Sequence, residues 1–404
     1  MNKTILLIGS FDTKGSEFRY VRDLIEERGF RTLLLDTGIL NEPALDPDVP
    51  ADQTAIAGGS NLEVLHSKAD RGTGVDVMIK GVRKLVPKMY GEGRFDGVLS
   101  LGGGAGTNIA TAGMRELPVG VPKVMVSTLA SSDVSSFVDI KDITMMYPVV
   151  DIAGLNRLSR RILANAAGAI CGMVGQQVPQ TSQADEKPLI AATMFGVTTP
   201  CVTTAREKLE EAGYEVLVFH ATGTGGRAME GLIRDGFFAG VADLTTTEWC
   251  DEVVGGVLPA GPDRLEAAAK TGIPQVVSVG ALDMVNFHAM DTVPEQFRHR
   301  ILYKHNPTVT LMRTTPEECT EIGKRIAEKL NLANGPVVLM LPLKGVSAID
   351  REGEPFYDPK ANKALFDSLR KHIDSKIKLV ELDLHINDPA FGEAAASQLM
   401  ELME

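Results

Sequence analysis

Glycines and small polar residues follow an apolar, strand-like run in the first half of the chain. SLGGGAGTNIATAG, residues 100–113, starts at the end of that run and continues into a helical pattern. Glycine has no Cβ, so backbone N–H groups of such a turn can approach an anion closely, and a helix N-terminus favours negative charge. We therefore predict that nucleotide phosphates bind to Gly102, Gly103, Gly104, Ala105, Gly106, Thr107 and Asn108.

The glycines of this turn also have a purely structural explanation, because close packing of a helix on a sheet favours glycine. The turn matches neither the usual frame of GxGxxG nor GxxxxGK[ST], since no lysine follows it. Its position between a strand and a helix and its glycine density both favour phosphate binding.

Three polar residues follow the first strand-like run, KTILLIGS: Asp12, Thr13 and Lys14. Lys14 could neutralise a phosphate as a compact cation. If a magnesium ion accompanies the phosphate, Asp12 could bind it directly or through water. The alternative is that Asp12 or Thr13 caps a helix, predicted over residues 16–28, which leaves Lys14 unexplained.

Two further residues are candidates for nucleotide contacts. Asp36 ends the second strand-like run, where an acid binds ribose hydroxyls in dinucleotide folds or simply ends the strand in a turn. Arg71 lies on a long excursion, residues 40–75, and is either a phosphate clamp or a solvated charge. Such excursions in compact domains are usually functional.

The second half repeats the combination of strand, glycine turn and helix in HATGTGGRAME. This turn is a second anion-site candidate, for a substrate phosphate or carboxylate, and a tight structural turn is an equal alternative. Nearby, Asp243 and Glu248 would suit hydroxyl recognition, and Lys344 could add a cation. The predicted second anion site comprises Thr222, Gly223, Thr224, Gly225, Gly226 and Arg227.

Apolar runs, glycine turns and amphipathic helices alternate along the chain, which predicts an α/β fold with parallel sheets. We expect two Rossmann-like, doubly wound subdomains, residues 1–176 and 188–404, joined by a linker at 177–187, with a cleft between them. Seven histidines and four cysteines are scattered without metal-ligand spacing, so no metal site is predicted and no catalytic residue is assigned.

The formal charge of −12 argues against nucleic acid and a membrane surface as partners. No apolar run is long enough to span a membrane, and no signal peptide is evident. A cytoplasmic protein with reduced thiols is expected.

Five motifs in order resemble those of one family: SFDTKGSE, SLGGGAGTN, ITMMYPVVDIAGLN, HATGTGGRAMEGLI and DLTTTE. It is the ATP-binding domain family named after the tomato mosaic virus resistance protein, whose bacterial and fungal members form an uncharacterised protein family. The resemblance covers essentially the whole chain. It implies two Rossmann-like subdomains, ATP as ligand and a homodimer.

Together, the residues and the resemblance predict an ATP-binding, two-lobed protein. One hypothesis is an enzyme that couples ATP to phosphoryl or adenylyl transfer on a small acidic metabolite. The alternative is a non-catalytic, nucleotide-gated binding or regulatory module.

Overall fold

A computed structural model of the chain describes residues 3–68, 70–176 and 187–404. The chain divides into two compact units, Met1–Gln180 and Thr181–Glu404. Most of the predicted linker, residues 177–186, lies outside the described residues.

The first unit is built on a five-stranded parallel sheet in the order β2-β1-β3-β4-β5. Strands such as TILLIG and GVLSLG are fully buried because helices cover both faces of a parallel sheet. The strands are β1 (Thr4–Gly9), β2 (Arg31–Asp36), β3 (Gly97–Gly102), β4 (Lys123–Ser127) and β5 (Thr144–Met146). The helices are α1 (Phe11–Glu27), α2 (Ala51–Ala57), α3 (Leu62–Lys68), α4 (Arg71–Gly91), α5 (Gly104–Arg115), α6 (Ser135–Val138) and α7 (Arg157–Gly175).

Helix α1 begins earlier than the sequence pattern predicts. It starts at Phe11, directly after β1, and Ser10 occupies the N-cap position without a side-chain hydrogen bond. Lys14 departs from helical geometry, with φ −126° and ψ 22°, and marks a kink. Asp12 and Thr13 therefore lie inside the first turn and neither is the N-cap residue.

The second unit contains a six-stranded parallel sheet in the order β14-β13-β9-β8-β6-β7. Its parallel strands are β6 (Leu189–Met194), β7 (Glu215–His220), β8 (Gly240–Thr245), β9 (Gln275–Gly280), β13 (Val337–Pro342) and β14 (Lys378–Leu382). The helices are α8 (Thr199–Glu211), α9 (Thr224–Arg234), α10 (Glu248–Val254), α11 (Glu266–Thr271), α12 (Pro316–Leu330), α13 (Pro359–His372) and α14 (Pro389–Met403). The prediction of an α/β fold with two Rossmann-like subdomains is confirmed.

One element of the second unit was not predicted. A three-stranded antiparallel sheet, β10-β12-β11, is inserted between β9 and α12. Its strands are β10 (Met284–Phe287), β11 (Leu302–Asn306) and β12 (Val309–Arg313). Among the described residues, no helix combines the length and the apolar character needed to cross a membrane.

Candidate functional site

Strands β1 and β3 are neighbours whose following helices leave on opposite faces of the first sheet. Helix α1 packs with α7 in one core, whereas α5 packs with α4 in the other. Ile8 pairs with Ser100 in register, so the turns that end the two strands lie side by side. In open α/β sheets such a switch point forms a crevice at the carboxyl ends of the strands, where ligands bind.

Amide N–H groups at the start of α5 are open at this edge. Gly103 is the N-cap and has no side-chain capping bond. The first intrahelical bond is donated by the amide of Thr107 to the carbonyl oxygen of Gly103, at 2.8 Å. Within the described part of the chain, the amides of Gly104, Ala105 and Gly106 have no acceptor. Such groups, with the helix dipole, attract an anion.

Packing explains only one glycine of this turn. A Cβ on Gly102 would lie 3.1 Å from the Cα of Gly106, a close approach that favours glycine. A Cβ on Gly103, Gly104 or Gly106 would meet its nearest neighbour at 3.7, 4.0 or 3.8 Å, which is ordinary van der Waals contact. None of these three has a positive φ. The alternative of a turn needed only for packing therefore does not account for them.

Two residues of the predicted phosphate site are committed to internal contacts. The Thr107 hydroxyl is buried, donates to the Gly103 carbonyl at 2.8 Å and lies 2.7 Å from the Ser127 hydroxyl. The Asn108 side chain donates to the Gly104 carbonyl at 2.9 Å. Both side chains help to hold the turn in shape, and the open amides of its backbone remain.

Lys14 lies half-buried at the kink of α1 and points to the segment before α7. Its ammonium donates to the carbonyl of Ile152. The nearby carboxylate of Glu17 accepts from the amide of Gly154 at 2.6 Å. The two contacts tie the first helix to the segment after β5, at the same carboxyl edge of the sheet.

Asp12 and Thr13 differ in their surroundings. Asp12 Oδ2 accepts from the amides of Leu40 at 2.9 Å and Asn41 at 3.3 Å, while Oδ1 is buried with no hydrogen-bond partner among the described residues. Thr13 is exposed. Asp12 thus holds the start of the excursion that follows β2.

Asp36 has the geometry of a turn residue. Its Oδ1 accepts from the amides of Phe11 at 3.0 Å and Gly38 at 2.9 Å, and the side chain is buried. Burial raises the pKa of this carboxyl, against the lowering effect of those hydrogen bonds. The contacts favour the turn alternative over ribose binding.

Arg71 is the first residue of α4 and is exposed. It lines a cavity of about 290 Å³ together with Leu40 and Leu65. Because α4 runs from the carboxyl edge of the sheet towards the start of β3, Arg71 lies at the same edge as the glycine turn. The excursion, residues 40–75, supplies the walls of this cavity and folds into α2, α3 and the start of α4.

The glycine turn of the second unit is closed. The amides of Gly223 and Gly226 donate to Glu248 Oε1 at 2.7 and 3.1 Å. A Cβ on Gly225 would lie 1.9 Å from the His220 carbonyl oxygen, and one on Gly226 would lie 2.3 Å from Glu248 Oε2. The predicted anion site at Thr222–Arg227 already holds the chain's own carboxylate, which favours the alternative of a tight structural turn over an external anion.

Glu248 belongs to a buried ion cluster that sequence reasoning missed. The Arg264 guanidinium binds Asp243 with Nη1 at 2.5 Å and Nη2 at 2.7 Å, and Glu248 with Nε at 2.7 Å. Burial alone would lower the pKa of Arg264, but its carboxylate neighbours raise it well above the usual value. Burial raises the pKa of Glu248. Asp243 and Glu248 were predicted to recognise hydroxyl groups, but in the structure both bind the Arg264 guanidinium.

Across residues 3–68, 70–176 and 187–404, no group of three His, Cys, Asp or Glu side chains is arranged to hold a metal ion. The four cysteines are buried and free, and burial raises the pKa of Cys201 to about 12, so this thiol is unreactive at neutral pH.

Comparison with known families finds a match for each half of the chain. The N-terminal domain of the uncharacterised protein family UPF0261 matches residues 3–179, and its C-terminal domain matches residues 187–403.

Relatives that match nearly the whole of this chain are found in bacteria and in a plant. A UPF0261 protein from Clostridium tetani is 56% identical over 405 residues, covering 100% of both chains. The ToMV resistance protein Tm-1(GCR237) from Solanum lycopersicum is 43% identical over 418 residues, covering 98% of this chain and 55% of that protein. A UDP-N-acetylglucosamine 2-epimerase structure from Rickettsia bellii is 10% identical over 100% of this chain and 96% of that one, with a TM-score of 0.23, too low to support an inference.

Proposed function

Since the chain belongs to the uncharacterised protein family UPF0261, with a tomato ToMV resistance protein among its relatives, we propose its function from the geometry of the site. The first unit binds ATP, with its phosphates at the N-terminus of α5. The three open amides of Gly104, Ala105 and Gly106 are the observation that carries this proposal. They lie at the switch point of the sheet, and two of them belong to Gly104 and Gly106, glycines that packing does not require.

Positive charge near this edge supports a polyphosphate as the ligand. Lys14 donates to a backbone carbonyl, a weaker acceptor than a phosphate oxygen, so an arriving phosphate can take over its ammonium. Arg71 at the start of α4 supplies a second cation beside a cavity whose lining is partly apolar and also includes Asp70. In this proposal the cavity receives part of the nucleoside and Arg71 holds a phosphate.

Magnesium would complete the charge balance of a bound triphosphate. Asp12 Oδ1, buried without a hydrogen-bond partner, is a hard oxygen suited to this ion. Magnesium would neutralise phosphate charge, and Asp12 would position it while Oδ2 stays bonded to the amides of Leu40 and Asn41.

Calorimetric titration of ATP into the full chain tests the site. Gly104→Val places a branched side chain over the open amides, and we expect at least 100-fold weaker binding with the fold retained. Gly172→Val is the matched control, because Gly172 is also helical with nothing within 4 Å of a Cβ, and lies near the end of α7. Equal affinity in Gly104→Val and the wild type would refute the proposal.

A second measurement separates an enzyme from a nucleotide-gated module. An enzyme would consume ATP faster when its acidic metabolite is added, releasing ADP on phosphoryl transfer or pyrophosphate on adenylyl transfer. A module would bind ATP tightly without product. We propose the enzyme, and the expected homodimer remains a prediction that light scattering can test.

A further inference from the structure

The second unit contains a cavity of about 660 Å³ at the carboxyl ends of β13 and β14. Leu343 and Lys344, which follow β13, form one wall, and His385, which follows β14, forms another. The volume lies within the range of small-molecule sites, about 300–1,000 Å³. A third wall is one face of α13, because its lining residues recur at helical spacing: Pro359, Asn362, Lys363, Phe366 and Arg370.

Cations outnumber carboxylates in the lining of this cavity, four to two, although the whole chain carries a formal charge of −12. Burial lowers the pKa of His385, so its imidazole is neutral at pH 7 and adds no charge. Three of the cations also pair with carboxylates outside the lining, Asp367, Glu381 and Asp383. An entering anion would take the place of these carboxylates. The cations are Lys344, Arg351, Lys363 and Arg370, and the carboxylates are Glu352 and Asp388.

The lining cations are held only by exposed partners. Lys344 lies 2.9 Å from Asp383, and Arg370 lies 2.6 Å from Glu381. Solvent-exposed ion pairs of this kind contribute little to stability. An anion entering the cavity can therefore recruit these side chains at little cost.

An apolar surface lies beside the charges. Leu343 and Tyr357 line the cavity and are 38% and 44% exposed, and Phe366 lies at its base with 5% exposure. Asn362 stiffens the α13 wall, since its Oδ1 accepts from Arg313 at 2.8 Å and its Nδ2 donates to Asp350 at 2.7 Å. The cavity thus combines a fixed apolar wall with adaptable cations.

We infer that this cavity binds a small organic anion with an aromatic or apolar body and a carboxylate or phosphate group. The inference rests on the proposed function only where it identifies the ligand as the substrate of the ATP-dependent reaction. Binding itself is independent of the nucleotide and is measured without it.

Two aromatic anions and one neutral analogue probe the cavity in the full chain. We expect saturable calorimetric binding of phthalate or phenyl phosphate and none of benzyl alcohol. The anion that binds more tightly shows whether the cavity prefers a carboxylate or a phosphate group. Lys363→Gln combined with Arg370→Gln should weaken binding at least tenfold. Lys360→Gln combined with Lys371→Gln removes the same charge from α13 at residues outside the cavity lining and should leave affinity within twofold.

Failure of both anions to saturate the chain, equal binding of benzyl alcohol, or equal loss in the control pair would overturn the inference. The Gly104→Val variant keeps the two proposals separate, because it should bind the anions normally while losing ATP. If ATP binding instead survives Gly104→Val and is lost with Lys363→Gln and Arg370→Gln, the cavity is the nucleotide site and both proposals fail.

Discussion

The two glycine turns look alike in sequence and differ in what their amides bind. In the first unit, the amides of Gly104, Ala105 and Gly106 have no acceptor in the described structure. In the second unit, the amides of Gly223 and Gly226 bind the carboxylate of Glu248. The same backbone chemistry therefore serves an external ligand in one unit, by our proposal, and an internal anion in the other.

The two turns differ more in the space around their glycines than in the number of glycines they contain. A side chain at Gly225 or Gly226 would collide with atoms 1.9 or 2.3 Å away, so these glycines serve the fold. At Gly104 the nearest atom would lie 4.0 Å away, so folding does not select glycine there. By our proposal, the glycines of the first turn that the fold does not need serve ligand binding.

Removing the internal anion is expected to have the largest effect. Glu248→Ala leaves two buried amides and the Nε of Arg264 without an acceptor, and we expect a loss of about 3 kcal/mol in the free energy of unfolding. Trp249, the only tryptophan, is buried next to Glu248, so its fluorescence in urea reports the second unit.

Glu248→Gln is the matched control for this change. It keeps an oxygen acceptor for the amides of Gly223 and Gly226 and should cost about 1 kcal/mol. Equal stability of Glu248→Ala and the wild type would mean that the second turn does not depend on its carboxylate, and the contrast between the turns would be lost.

The sequence reveals the framework of both turns because strand-like runs such as TILLIG and GVLSLG are continuous and local. The sequence does not reveal which of the two turns already binds a carboxylate of the chain itself. Glu248 follows Gly223 by 25 residues and Ile152 follows Lys14 by 138, so only the folded chain brings these partners together. The early start of α1 at Phe11 was missed for a similar reason, since Asp36 holds that amide from the neighbouring strand.

An intermediate effect is expected from Lys14→Ala, which tests the first turn through its affinity for ATP. Loss of an ammonium–phosphate contact should weaken ATP binding by about 1–3 kcal/mol, roughly five- to 150-fold. Adenosine, which lacks phosphates, should bind equally to both proteins. Lys84→Ala, an exposed change on α4, should alter neither affinity, and an unchanged ATP affinity in Lys14→Ala would remove this residue from the site.

The smallest effect on binding is expected at Asp36, the internal carboxylate of the first unit. Asp36→Asn keeps an oxygen for the amides of Phe11 and Gly38, so calorimetric ATP affinity should stay within about twofold of the wild type. A larger loss would restore its predicted role in ribose binding.

The pH dependence of stability gives Asp36 a second, independent readout. Because burial raises its folded pKa above 3.8, its favourable contribution is complete below pH 3.8 and is lost as the pH rises through the raised value. Asn cannot titrate, so urea unfolding should show Asp36→Asn gaining stability relative to the wild type between acidic and neutral pH. If the difference in free energy of unfolding between the two proteins does not change across that range, burial does not destabilise the ionised carboxylate of Asp36. In that case Asp36 behaves like an exposed carboxylate and differs from the buried Glu248.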